Sequence, residues 1–279
     1  MERITYAENS ENDTFRFPDY TFFMIHGGGT PQWHNGRMKL SPYTPLVSSE
    51  TSPLLASGVR ARAYALDTLY KRHPHNCWHI FTLGHTNNFD REFSSGLAMH
   101  NQLHTFGIPS EVIISPTDTL TEIIESTLIA AEAARFGKPI ECLAHLSNEY
   151  HLPRIQFMDA LLHDVEGSEK LKMMVVNSLG DYPDYRALFS EFWEDTVKPA
   201  ILELNTRTIS RVSVSAEGIL RTRSSHWNTL IDSLDRWQTE DGHYPWQNRI
   251  YIETEGLSDL ADGSYLFNAH SIIEYLQCE

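Results

Sequence analysis

Long hydrophobic runs are missing from this 279-residue chain, and no stretch approaches the ~20 apolar residues of a membrane-spanning helix. Basic residues are scarce: 22 Lys and Arg stand against 37 Asp and Glu, for a formal charge of −15. That balance argues against nucleic acid or an anionic membrane as a partner, since both reward clustered Lys and Arg. It leaves room for a small anionic molecule, which needs a local group of donors and no more. The three cysteines, Cys77, Cys142 and Cys278, lie far apart and form no C-x-x-C. This argues against a disulfide framework and a cysteine-based zinc site. Met1 to Asp19 is polar and acidic, without the basic end and apolar run of a signal peptide. A soluble, reducing, cytoplasmic setting is the expectation. There is no G-x-S-x-G, no H-E-x-x-H, no internal repeat and no low-complexity segment. His100 and His104 are one helical turn apart, and His73 and His75 flank a proline, but no third ligand has suggestive spacing, so no metal is expected.

Hydrophobic residues make up 41% of the chain, enough for a packed core. Tyr20 to Ile25 reads as a strand feeding the turn His26-Gly27-Gly28-Gly29. Trp33 to Pro53 is rich in Pro, Ser and Thr without helical period and reads as a long loop. Ser57 is placed to cap a helix that runs to Tyr70. Trp78 to Leu83 is a second strand, Phe93 to Phe106 a helix stopped by Gly107, and Val112 to Ile114 a third strand. Thr119 and Glu122 have capping-box spacing ahead of the stripe Leu120, Ile123, Ile124 and Leu128. Ile140 onward is a strand ending in a polar loop, and Pro153 opens a helix to about His163. Met173 to Val176 reads as a further strand.

Alternating strands and helices predict an α/β fold: a Rossmann-like, mainly parallel sheet with helices on both faces. After Gly180 the pattern becomes mainly helical, over Tyr185–Leu204, Trp227–Trp237 and Phe267–Leu276, with an alternating stretch at Thr208–Val214 that could be a strand. The expected division is a polar segment 1–18, an α/β domain 19–178, and a mainly helical extension 179–279. That extension could cover the sheet, cap the site or form an oligomer contact. Parallel strands would bring the loops at their carboxyl ends to one edge, where ligands bind in such sheets.

The site residues follow. Gly27, Gly28 and Gly29 can let backbone N–H groups approach a phosphate or carboxylate; the alternative is a tight turn that binds nothing. Arg60, Arg62 and Arg154 are candidate anion clamps, because a guanidinium fork matches such oxygens. For Arg62 a solvent-facing position is the alternative. Ser147 and His151 share a loop. His151 is the best candidate for proton chemistry, or it orients a ligand or the loop. Thr119 is most simply a helix cap whose N–H groups can still meet a ligand.

The ordered set Ile25–Gly29, Ser57-x-x-Arg60, Gly107-Ile108-Pro109, Asp118-Thr119 and Ser147 to His151-x-x-Arg154 resembles the ElyC/SanA/YdcF family over roughly Tyr20 to Ala160. The family's usual Ser-Gly-Gly after the second strand reads Leu83-Gly84-His85 here. The resemblance implies a YdcF-like protein holding a small anionic or nucleotide-like ligand, S-adenosylmethionine or a phosphorylated metabolite, through Gly27, Gly28, Gly29, Ser57, Arg60, Thr119, Ser147, His151 and Arg154. Such a protein could be an enzyme or a non-catalytic sensor. His26-Gly-Gly-Gly also resembles the oxyanion stretch of serine hydrolases, a lesser alternative without a nucleophile elbow.

Overall fold

A computed structural model describes residues 2–4, 16–27, 31–34, 37–40, 58–85, 95–115, 120–149, 151–163, 165–180 and 182–236. Among the described residues there are eight strands: β1 (Glu2–Ile4), β2 (Thr21–Ile25), β3 (Pro31–His34), β4 (Arg37–Leu40), β5 (His79–His85), β6 (Glu111–Ser115), β7 (Cys142–Ser147) and β8 (Ser210–Ser215). The helices are α1 (Val59–Arg72), α2 (Ser95–Thr105), α3 (Leu120–Arg135), α4 (Leu152–Leu161), α5 (Val165–Ser178), α6 (Pro183–Phe192), α7 (Lys198–Asn205), α8 (Ala216–Arg221) and α9 (Ser225–Asp235). A π-helical turn, Trp193–Val197, joins α6 to α7.

Five strands form a parallel sheet in the order β8-β7-β2-β5-β6, and the three-residue β1 adds to the β8 edge, also in parallel. This is the α/β arrangement expected. Every residue of β2 and β7 is buried, as parallel strands covered on both faces require. The pleat divides them. Phe23, Ile25, Cys142, Ala144, Leu146, Val212 and Val214 face a core with α1, α2, α8 and α9. Phe22, Met24 and Leu143 face the other side, where Ala130 of α3 and Leu204 of α7 meet them. A third core, without strand residues, fills the space among α3, α4, α5, α6 and α7 around the fully buried Trp193. Gly107 and Gly137 end α2 and α3 in the left-handed region (φ 76° and 73°), which a glycine enters without Cβ strain. No helix among the described residues is long and apolar enough to cross a membrane.

Several expectations need correction. Met173 to Val176 is not a strand; it lies within α5, where Leu171, Met174 and Val175 are buried and Met173 is exposed. A short apolar run does not by itself separate a strand from one face of a buried helix. The strand beside β7 is β8, so residues beyond 179 supply the central sheet as well as helices to both of its faces. Glu2–Ile4 in the expected polar segment is the edge strand β1. Part of the expected loop Trp33–Pro53 is an antiparallel hairpin of β3 and β4, with His34 opposite Arg37. The N-cap of α1 is Gly58, not Ser57, and it supplies no side-chain cap. Ser57 and the Phe267–Leu276 helix lie outside the described residues.

Candidate functional site

From β2 the chain moves through α1 to β5 and α2 to β6, with both helices on one face; α3 then crosses the other face and returns the chain to β7, on the far side of β2. Neighbours β2 and β7 are therefore where the winding reverses. In open α/β sheets the ligand crevice lies outside the carboxyl ends of such a pair. Here those ends carry His26-Gly27 and Asn148 to His151. They adjoin: His26 N–H donates to the Leu146 carbonyl (3.2 Å), and the His26 and His151 rings meet edge to face with centroids 5.9 Å apart.

Arg62 joins the two loops. Its side chain is 1% exposed. Nε donates to Asn148 Oδ1 (2.7 Å), and Nη1 donates to the carbonyls of both His26 and Gly27. Neither of its two expected roles, anion clamp or solvent-facing residue, describes this position; Arg62 is a buried brace. The Asn148 amide continues the chain, donating through Nδ2 to Glu217 Oε1 of α8 (2.8 Å), while Glu217 Oε2 accepts from the Glu149 backbone N–H (3.0 Å). Burial, then repulsion from Glu149, pushes the Glu217 carboxyl up to about 7, against the pull of the Asn148 and backbone hydrogen bonds. Ser215 caps α8 by accepting from Gly218 N–H (2.9 Å) and donates its hydroxyl to Glu149 Oε1 (3.0 Å). Ser215→Ala is expected to cost about 1 kcal/mol, the usual value of an N-cap, measured by urea denaturation. A loss below a few tenths would mean the cap contributes nothing.

A second polar layer lies between the sheet and α4. His145 and Ser147 of β7, and Arg211, Ser213 and Ser215 of β8, share one face and are all buried. His26 Nε2 and His145 Nδ1 share a hydrogen bond at 2.9 Å, so one of the two nitrogens carries no proton. On its other side His145 Nε2 stands 3.8 Å from Asp159 Oδ1, which pairs with Arg211 Nη1 at 3.0 Å. Burial, then the neighbouring His26 and Arg211, holds the His145 pKa well below that of an ordinary histidine, so the ring stays neutral. Gln156 of α4 donates to Ser213 Oγ (2.6 Å).

Of the expected site residues, Ser147 and His151 come together: Ser147 Oγ and His151 Nδ1 are 2.9 Å apart. Ser147 is fully buried and His151 half-buried. Gly27 sits on the Arg62 brace. Arg60 lies half-buried in the first turn of α1, and Arg154 falls in the first turn of α4. Gly28, Gly29, Ser57 and Thr119 lie outside the described residues. Neither α1 nor α4 has a side-chain cap at its amino end. At α4 the Leu152 N–H already donates to the Asn148 and Glu149 carbonyls and Pro153 has no N–H, so that end offers an anion mainly its positive dipole. The residues not foreseen are His26, His145, Asp159, Arg211 and Glu217.

Elsewhere, a hollow of about 470 Å³ opens between the end of α3 and the π turn, lined in part by Glu132, Arg135, Phe136, Asp195 and Thr196. It lies toward the amino ends of the strands, away from the crevice. Among the described residues no group of three or more His, Cys, Asp or Glu could hold a metal ion. The fold and its crevice define the class: a doubly wound parallel α/β protein with loops gathered at the β2/β7 switch point. No family model, curated protein or solved structure matches the chain.

Proposed function

We propose that this chain is a YdcF-like protein that binds a small anionic or nucleotide-like molecule in the crevice between the β2 and β7 loops. The observation that carries the reading is the contact between His26-Gly27 and the Asn148–His151 loop at the switch point, beside the start of α1, which lacks a side-chain cap. Arg60 in the first turn of α1 and Arg154 in that of α4 are the cations assigned to the ligand's charge, together with the N–H groups of the Gly27–Gly29 turn. Arg62 is committed to the protein's own carbonyls and is not assigned to the ligand. His151 is the group for proton transfer or for orienting the ligand. A nucleotide, S-adenosylmethionine or a sugar phosphate fits this assignment. A cytoplasmic setting goes with it, without nucleic acid or membrane as partner.

The serine-hydrolase alternative is weakened by burial. Ser147 has a histidine partner, as an activated nucleophile needs, but its hydroxyl lies under α4 with no exposed surface. A ligand sensor without catalysis uses the same crevice and differs in turnover alone.

A thermal-shift screen with AMP, S-adenosylmethionine and glucose 6-phosphate tests the reading. At a hundredfold excess over the dissociation constant a true ligand adds about 2.7 kcal/mol, a rise of roughly 5 °C or more for a chain of this size. His151→Ala is expected to reduce the rise. No shift with any of the three removes the support for an anion crevice.

A further inference from the structure

We propose that Glu217 is a latch: its ionisation sets how tightly the loop after β7 is held and, through Asn148 and Arg62, how the crevice is shaped. The argument is one of donors and acceptors. An ionised carboxylate accepts at both oxygens, and Glu217 does so, from Asn148 Nδ2 at one and the Glu149 N–H at the other. A protonated carboxyl carries an O–H at one oxygen, which becomes a weaker acceptor. Whichever oxygen takes the proton, the bond it accepts is weakened. Asn148 is fully buried and fixed at both ends of its amide, by Arg62 on the oxygen and Glu217 on the nitrogen. Loosening at Glu217 therefore reaches the brace that grips the His26 and Gly27 carbonyls.

The surroundings favour a switch in the neutral range. Glu217 is 6% exposed, and burial followed by Glu149 pushes its carboxyl up to about 7. From α1 the charged groups at this end are Arg62, which reaches Asn148, and Arg60 in the first turn. The Arg223–Asp67 pair lies beyond the far end of α8. β8 presents the neutral Ser215, bonded to Glu149. The α9 residues packed with α8, Trp227, Leu230 and Ile231, are apolar. His151 on the loop turns to Ser147, and His26 turns to His145. The folded value lies above the ordinary 4.5, so this group's contribution to stability is full below about 4.5 and is lost as pH rises through about 7. Closing the latch works against burial, which keeps its two states close in free energy.

The latch itself needs no ligand; its effect on binding rests on the proposed anion crevice. The test follows the Glu149 amide by NMR in the full chain, from about pH 5.5 to about pH 8.5. A sigmoidal shift centred near neutrality is expected, abolished in E217Q and moved to lower pH in E149Q, which removes the like charge. Should E217Q fail to fold, E149Q carries the test. A flat amide shift, or an unchanged midpoint in a folded E217Q, overturns the latch. Inorganic sulfate, whose charge is constant over this range, is then titrated at both ends of it. Weaker sulfate binding at low pH in wild type, and pH-independent binding in E217Q, supports the coupling. A titrating amide without sulfate binding supports the latch and removes the anion crevice; sulfate binding with a flat amide does the reverse.

Discussion

Arg62→Ala is expected to destabilise the protein by about 3–5 kcal/mol, the range for removing one partner from a buried charged network. The side chain is fully buried, and three acceptors depend on it: the His26 and Gly27 carbonyls and Asn148 Oδ1. Each acceptor left buried without a donor costs about 1–3 kcal/mol. Arg62→Lys is expected to recover little, because an ammonium on a flexible stem does not reproduce a planar fork serving three oxygens on two loops. Urea denaturation at neutral pH measures both variants. A loss below about 1 kcal/mol in Arg62→Ala would mean that the loops hold their places without the brace.

The second large effect is expected on the other side of β7. Asp159→Ala leaves the Arg211 guanidinium buried without its carboxylate, and a loss of about 3–5 kcal/mol should follow. Both residues are nearly inaccessible, and the pair lies between α4 and β8, where ions are poorly solvated. Such a pair need not be stabilising against an apolar replacement, since its attraction is offset by desolvation. The double variant Asp159→Leu with Arg211→Met is therefore expected to return to within about 1–2 kcal/mol of wild type. Guanidinium denaturation of Asp159→Leu, Arg211→Met and the double variant gives the coupling energy of the pair. If the double variant is as unstable as Asp159→Ala alone, the two side chains do not act as one unit.

Much of the fold was legible because its signals are local. β2 and β7 are continuous apolar runs, as strands buried on both faces should be. Gly107 stops α2 and Pro153 starts α4 for steric reasons that need no tertiary contact. What was missed depends on pairing across the chain. Met173–Val176 carries apolar residues that suit either a strand or one face of a helix, and packing against α4 and α6 decides. β8 was readable as a strand, since Arg211, Ser213 and Ser215 alternate with Val212 and Val214, but that is the pattern of one half open to water. Its polar face is instead covered by α4, and the hydroxyls are used by Gln156 and Glu149.

The candidate site shows the same division. The β7 loop could be found from its crowding of Ser147, His151 and Arg154 after an apolar strand. Its supports could not, because Arg62 and Glu217 bind it from 86 and 69 residues away in sequence. One signal was present. Arg62 stands at the spacing of Leu66 and Leu69, on the buried stripe of α1, which marks it as an inward-facing arginine. Likewise His145 and Ser147 alternate with Ala144 and Leu146, so both polar residues had to share one buried face.

The most direct test of the crevice is a map of amide shifts on titration with AMP. Perturbations are predicted at Gly27, Asn148, Glu149 and His151 and in the first turn of α1. Shifts gathered around Phe136 and Asp195 at the opposite rim, or none at saturating AMP, would contradict the account.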